Sequence, residues 1–152
     1  MNLYISDQHF GHRNVINFDN RPFLDVDEMD YAMIELWNSR VQPDDHVYVI
    51  GDFCHRSGRT PDWYLKKLRG HKHLIIGNHD QCILNNPKAM SYFESADKML
   101  HVADDGRQVC LCHFPLAEWN KSKHGSWLIY GHIHNRKDDA YEFMKTREHA
   151  LN

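Results

Sequence analysis

Five short apolar segments along the chain predict buried β-strands. Each segment is rich in β-branched or aromatic residues and lacks a clean polar alternation, which is typical of strands covered on both faces. The segments are residues 3–5, 47–50, 74–76, 109–112 and 127–130. We therefore expect sheets that lie between other layers of the protein.

Helical patterns lie between the first three strands. Asp25 can cap a helix, because Glu28 follows three residues later as in a capping box. The apolar residues that recur there at helical spacing are Met29, Met33, Leu36 and Trp37. A second helix is predicted to start at Thr60-Pro61, with the proline at the first helical position, and to end before Gly70.

The last third of the chain predicts a hairpin and a strand. Residues 104–106 form an Asp-Asp-Gly turn between residues 99–102 and 108–112. From Asn135 the sequence becomes polar without a period, which favours a solvated loop. The order of strands and helices predicts a single layered α/β domain over residues 1–152.

Composition narrows the class of protein. A chain of 152 residues fits one domain, and no run approaches the ~18 apolar residues that a membrane span needs. The net charge of −3 speaks against a protein that holds polymeric nucleic acid by its overall field. Four cysteines without a Cys-x-x-Cys pair favour buried thiols in a reducing compartment. We therefore expect a cytoplasmic protein with neither a membrane nor a long nucleic acid as its partner.

A polar cluster follows each predicted strand. The clusters are Asp7-Gln8-His9, Gly51-Asp52, Gly77-Asn78-His79-Asp80, His113 and Gly131-His132-Ile133-His134. Because the carboxyl ends of strands converge in open α/β sheets, these distant side chains are expected to face one another. Carboxylate, amide and imidazole donors suit Mn, Fe, Ni or Zn, and the absence of cysteine argues against a structural thiolate zinc site.

The number of donors is sufficient for two ions. The seven predicted ligands are Asp7, His9, Asp52, Asn78, His113, His132 and His134. Two neighbouring metal ions need a ligand that bridges them, and a carboxylate can bridge because it has two oxygens. Spacing alone leaves Asp7 and Asp52 as alternatives for the bridge.

These blocks, in this order between residues 5 and 134, resemble the signature of the calcineurin-like metallophosphoesterases. Residues 6–12, 20–23 and 113–116, together with Trp119-Asn120, resemble a small, mostly bacterial and phage branch of that superfamily. The resemblance implies an α/β fold in which a four-layer αββα sandwich of two mixed sheets is flanked by helices.

The resemblance also implies residue roles. It assigns one ion to Asp7, His9, Asp52 and His134. It assigns the other to Asp52, Asn78, His113 and His132, which makes Asp52 the bridge. His79 would be the acid or electrostatic partner of the phosphate, and Asp80 would orient it.

The implied activity is a hydrolase, a binuclear metal-dependent phosphoesterase that cleaves a small phosphomonoester or phosphodiester with metal-activated hydroxide. Manganese is the first expectation for the two divalent ions, with iron, zinc or nickel as alternatives. A nuclease or cyclic-nucleotide phosphodiesterase is an alternative, although a nuclease would want a basic, aromatic-lined groove and only short basic segments are present. A non-catalytic binding scaffold is disfavoured because such scaffolds usually lack ligands and none of the seven is missing.

Several further residues have open interpretations. His12 could reach the phosphate or a carboxylate behind the ligands, or it could cap a helix. Arg21 could bind a substrate phosphate or lie solvated in a loop. The histidines outside every motif, to which we assign no role, are His46, His55, His71, His73, His101 and His149.

The C-terminus carries one more expectation. Relatives in this branch continue beyond the equivalent of Asn152 into a further strand, so a C-terminal strand is expected to be missing or its edge to pair differently. An exposed edge could promote a homo-oligomer.

Overall fold

Two four-stranded sheets form the centre of the computed structural model, which describes all 152 residues. The first sheet contains β1 (Asn2–Ile5), β2 (His46–Val49), β3 (His71–Ile75) and β4 (Phe93–Asp97), in that order. The second contains β5 (Met99–Asp104), β6 (Arg107–Cys112), β7 (Trp127–Ile129) and β8 (Ala150–Leu151), also in order. The α/β fold with two sheets flanked by helices is therefore confirmed.

The two sheets differ in strand direction. All three pairings of the first sheet are parallel. The second sheet is mixed, because β5 and β6 pair antiparallel and the other pairs are parallel. Only one of the two sheets is thus mixed, where both were expected to be.

Helices cover the outer faces of the sandwich. The helices are α1 (Arg13–Phe18), α2 (Val26–Arg40), α3 (Pro61–Leu65), α4 (Gln81–Leu84), α5 (Pro87–Met90) and α6 (Asp139–Lys145). Helices α2 to α5 pack their buried residues on the first sheet, whereas Met144 of α6 packs on the second. Tyr48, Ile50 and Ile75 meet Val109 and Leu111 between the sheets. No helix combines the length and apolar character that crossing a bilayer requires.

The local signals for α2 act as predicted. The Asp25 side chain accepts a hydrogen bond from the backbone N–H of Glu28 at 2.9 Å, which satisfies one of the free donors at the helix start. The Glu28 carboxylate in turn accepts from the N–H of Leu24. The predicted hairpin is also present, with Asp104 opposite Arg107.

Several elements depart from the sequence-based expectation. Helices α1, α4 and α5 and strand β8 have no predicted counterpart. Helix α3 ends at Leu65, well before Gly70. Strand β4 is not predicted, because its sequence contains no apolar run. Helix α6 lies in the stretch expected to be a solvated loop, and it begins where Asp138 accepts from the N–H of Tyr141. A side-chain cap and the burial of Met144 stabilise α6 in a segment whose average composition is polar.

Candidate metal centre

The predicted ligands lie at the carboxyl ends of strands from both sheets. Asp7, Asp52 and Asn78 follow β1, β2 and β3 of the first sheet, while His113 and His132 follow β6 and β7 of the second. The sandwich therefore brings together residues that are far apart in the chain.

Four of the predicted ligands form one compact group. The donor atoms of Asp7, His9, Asp52 and His134 all lie within 4.8 Å of one another, and the first three residues are buried. His9 Nε2 lies 3.2 Å from His134 Nε2 and 3.6 Å from Asp52 Oδ2. Two carboxylates and two imidazoles directed into one small space are a donor set that fits a divalent transition ion.

A second group shares Asp52 with the first. Asp52 Oδ2 lies 3.5 Å from His113 Nε2, close to its 3.6 Å distance from His9 Nε2. Asn78 Oδ1 is 3.0 Å from both His113 Nε2 and His132 Nδ1. One oxygen of Asp52 thus lies between the two groups, which is the position that a bridging ligand needs.

The backbone around the ligands is strained. Five predicted ligands have positive φ angles between 51° and 71°, in the left-handed region that non-glycine residues rarely adopt. They are Asp7, His9, Asp52, His132 and His134. Such strain persists only where surrounding structure imposes it, and it concentrates at functional sites.

Glycines allow the ligand loops to approach one another. A Cβ atom at Gly51 would overlap the His113 ring, and one at Gly131 would lie 2.5 Å from Asp7 Oδ2. Only glycine leaves room for these ligands to meet.

Contacts behind the ligands fix two imidazole rings. His113 Nδ1 donates to the carbonyl of Ile50 at 2.9 Å, and His134 Nδ1 donates to the Asp19 carboxylate at 2.9 Å. Each bond leaves Nε2 free to act as a metal ligand, as outer carboxylates and carbonyls do at many metal sites. Sequence reasoning missed Asp19, which lies outside every motif.

The protonation states of Asp52 and His9 suit metal binding. Burial favours the neutral form of Asp52, but its contact with His113 and the hydrogen bond from the backbone of His79 outweigh burial and lower its pKa to about 2. Burial lowers the pKa of His9 to about 4. At neutral pH Asp52 is therefore ionised and His9 neutral, the forms in which these groups bind metals.

His79 lies at the rim of the centre. Its backbone N–H donates to Asp52 Oδ1 at 2.8 Å, and its ring centroid is 5.7 Å from that of His9. The ring of His55, a residue to which the sequence assigned no role, packs on it at a centroid distance of 3.9 Å.

His12 occupies the N-cap position of α1, but its side chain makes no capping hydrogen bond. Its ring packs on those of His55 and His9 at centroid distances of 4.8 and 5.5 Å. Burial, followed by the nearby charges of His55 and His79, lowers the pKa of His12 to about 4. The structure thus favours a position beside the site over a helix cap.

Asp80 contacts the backbone rather than the His79 ring that it was expected to orient. Its fully buried carboxylate accepts hydrogen bonds from the N–H groups of Asp52, Phe53 and Gly77 at 2.8–2.9 Å. Because these bonds occupy both oxygens, Asp80 holds the turn that presents Asp52.

The side chain of Arg21 is only 17% exposed and is bonded to groups within the protein. Its guanidinium donates to the carbonyls of Gln8 and Asp7 at 2.7 and 2.8 Å and to the Asp19 carboxylate at 3.1 Å. These donors stabilise the Asp7 loop, a supporting role that the two open interpretations do not include.

Two relatives match most of the chain in sequence. The uncharacterized protein MJ1445 of Methanocaldococcus jannaschii is 31% identical over 150 residues, which cover 97% of this chain and 77% of that protein. The Gene 66 protein of Mycobacterium phage D29 is 28% identical over 159 residues, covering 88% of this chain and 78% of the phage protein. No protein-family model matches the chain.

Three solved structures share the fold. The protein of unknown function AQ665 from Aquifex aeolicus has a TM-score of 0.74 at 23% identity and covers 100% of this chain and 88% of its own. The nuclease MPE of Pseudomonas putida has a TM-score of 0.56 at 18% identity, covering 88% of this chain and 60% of its own. An archaeal phosphodiesterase reaches 0.50 at 19% identity, with 89% and 74% covered.

Proposed function

Because this chain belongs to the family of the M. jannaschii protein MJ1445 and has the metallophosphoesterase fold, we propose that it is a binuclear metal-dependent phosphoesterase. Its substrate would be a small phosphomonoester or phosphodiester. The observation that carries the proposal is the position of Asp52, whose Oδ2 lies 3.6 Å from His9 Nε2 and 3.5 Å from His113 Nε2.

The ligand sets follow from the two groups that share Asp52. Asp7, His9 and His134 would complete one set, and Asn78, His113 and His132 the other. A pair of divalent ions held there, manganese first among them, would supply Lewis acidity toward the phosphate oxygens and a lowered pKa for water. Asp52 keeps the two sets in contact, and Asp80 keeps the Asp52 turn in place.

His79 is the group that would move a proton. Its ring is partly exposed beside the ligands, so an imidazole N–H can reach an oxygen leaving the phosphate. The hydrogen bond from its backbone to Asp52 fixes the distance between the ring and the centre. General acids placed in this way contribute typically about 10²–10⁴-fold to rate.

Two substitutions test the proposal. We expect Asp52→Asn to lose bound manganese, because it removes the shared carboxylate charge, and to lower turnover of an aryl phosphate at least ~100-fold. We expect His79→Ala to keep the manganese and lose rate. Metal content after dialysis and hydrolysis rates are the measurements, and Asp44→Asn, on an exposed turn, is the matched control. An Asp52→Asn protein that binds two ions and turns over normally would contradict the proposal.

A substrate panel then defines the ester class. The manganese-loaded protein should be compared on an aryl monoester, an aryl diester, a cyclic nucleotide and a short oligonucleotide. Hydrolysis of the monoester or the diester supports a small-molecule phosphoesterase. Cleavage of the oligonucleotide alone would instead favour a nuclease.

A further inference from the structure

A second group of metal-type side chains lies at the opposite end of the first sheet. His46 and His71 are the first residues of β2 and β3, His73 lies two residues further along β3, and Glu94 is on β4. The candidate metal centre lies beyond the carboxyl ends of these strands. The four residues of β2, or roughly 13 Å, separate it from this group. The group is therefore separate from the centre described above.

The donor atoms of this group converge. His46, His73 and Glu94 each direct one atom to a common position, and these atoms lie within 4.8 Å of one another. His46 Nδ1 is 2.9 Å from His73 Nε2, which is 3.7 Å from Glu94 Oε2. Ligands of a tetrahedral zinc ion lie roughly 3.3 Å apart, as bonds of about 2.0–2.1 Å require, and the two distances bracket that spacing.

A contact behind His73 sets which ring nitrogen is available. Ser95 Oγ lies 3.1 Å from His73 Nδ1, so a proton on Nδ1 leaves the Nε2 lone pair directed into the group. The His9–His134 pair of the metal centre likewise brings two imidazole nitrogens together, at 3.2 Å.

A β-bulge in β4 positions the carboxylate of Glu94. Lys72 pairs with Phe93 and His73 pairs with Ser95, so Glu94 is the extra residue of β4. Bulges redirect a side chain and are frequent beside functional sites. Here the bulge places Glu94 against both histidines of β3, with His71 Nδ1 bonded to the other carboxylate oxygen.

We propose that His46, His73 and Glu94 bind a transition-metal ion of the zinc class, independently of the phosphoesterase centre. Two imidazoles and a carboxylate form a donor set that zinc uses with a water in the fourth position. Glu94 is exposed, so an ion can enter from solvent. The bound ion ties three neighbouring strands together at the end of the sheet remote from the catalytic loops.

The test counts zinc ions bound by the metal-free full chain. Wild type, Glu94→Gln and His73→Gln are titrated with Zn²⁺ in a calorimeter and assayed for metal after gel filtration. We expect each variant to bind one zinc ion fewer than wild type and to keep wild-type hydrolysis of an aryl phosphate with manganese. His101→Gln, which alters an exposed histidine on β5, is the control and should bind as wild type does.

A second set of variants, made in the Asp52→Asn protein, distinguishes zinc binding at the two sites. In Asp52→Asn we expect one zinc ion per chain to remain, and the double variant Asp52→Asn/Glu94→Gln should lose it. The proposal is overturned if wild type and Glu94→Gln bind equal numbers of zinc ions. Because Glu94 is exposed, its replacement leaves the fold intact, which an unchanged unfolding midpoint of the metal-free protein would verify.

Discussion

At the scale of single residues, Asp80 shows how a buried carboxyl group can support a candidate metal centre without being one of its proposed ligands. Three backbone N–H groups, those of Asp52, Phe53 and Gly77, donate to its two oxygens. These bonds join the turns after β2 and β3. Asp80 therefore sets the separation of Asp52 from Asn78, the proposed ligands on those turns.

We expect Asp80→Asn to destabilise the metal-free protein. The amide has a single oxygen, so at least one buried N–H loses its acceptor, at a cost of about 1–3 kcal/mol. Urea unfolding of the wild type and the variant measures this difference, and Asp44→Asn controls for the loss of one charge. If the variant keeps its stability but loses most of its turnover, the role in holding the turns is contradicted. That result would favour the role predicted from the sequence, in which Asp80 orients His79.

At the scale of elements, the turns that end the strands carry most of the information about function. Gly51 and Gly106 have nearly the same φ angle, 78° and 76°. A Cβ atom at Gly51 would overlap the His113 ring, whereas one at Gly106 would meet no atom within 4 Å. Both glycines have a left-handed φ angle, but only Gly51 also needs the space that a side chain would occupy.

Alanine at both positions tests this distinction. We expect Gly106→Ala to cost roughly 1–2 kcal/mol, the penalty of a left-handed alanine, and to leave metal binding unchanged. Gly51→Ala should cost more and should also lose manganese, because the added methyl group displaces His113. Urea midpoints and manganese titrations of both variants give the comparison, and equal behaviour of the two would contradict a role for close approach.

The sequence predicts those elements whose local signals are strong. Apolar runs identify the strands that precede the ligands, and the Asp25 cap identifies α2. Strand β4 is missed because its stability comes from pairing with β3. Helix α6 is missed because, apart from the cap by Asp138, its stability comes from burial of Met144, which no local pattern shows. The site is predictable as an ordered set of motifs, but supporting residues such as Asp19 and His55 become visible only through contacts in space.

At the scale of the whole molecule, the candidate metal centre joins the two sheets. Proposed ligands after β1, β2 and β3 face proposed ligands after β6 and β7, so ions bound there would connect both halves of the sandwich. Anything that binds only the folded state stabilises it by mass action.

We therefore expect chelation to lower the melting temperature and manganese to restore it. At a free ion concentration 100 times Kd the gain is about 2.7 kcal/mol, or roughly 5–10 °C for a chain of this size. Differential scanning calorimetry with a chelator and with added manganese measures the shift. The Asp52→Asn variant should show little of it, and an equal shift in that variant would place the stabilising ion elsewhere.

The long separation of paired ligands along the chain has a consequence for folding kinetics. His9 and His134 are 125 residues apart, yet their ring nitrogens lie 3.2 Å from each other. Closing so long a loop carries an entropic cost that local contacts avoid, and the ligand set is complete only after both sheets have docked. An ion held by that set therefore acts on the finished structure, slowing its unfolding while leaving the folding rate nearly unchanged.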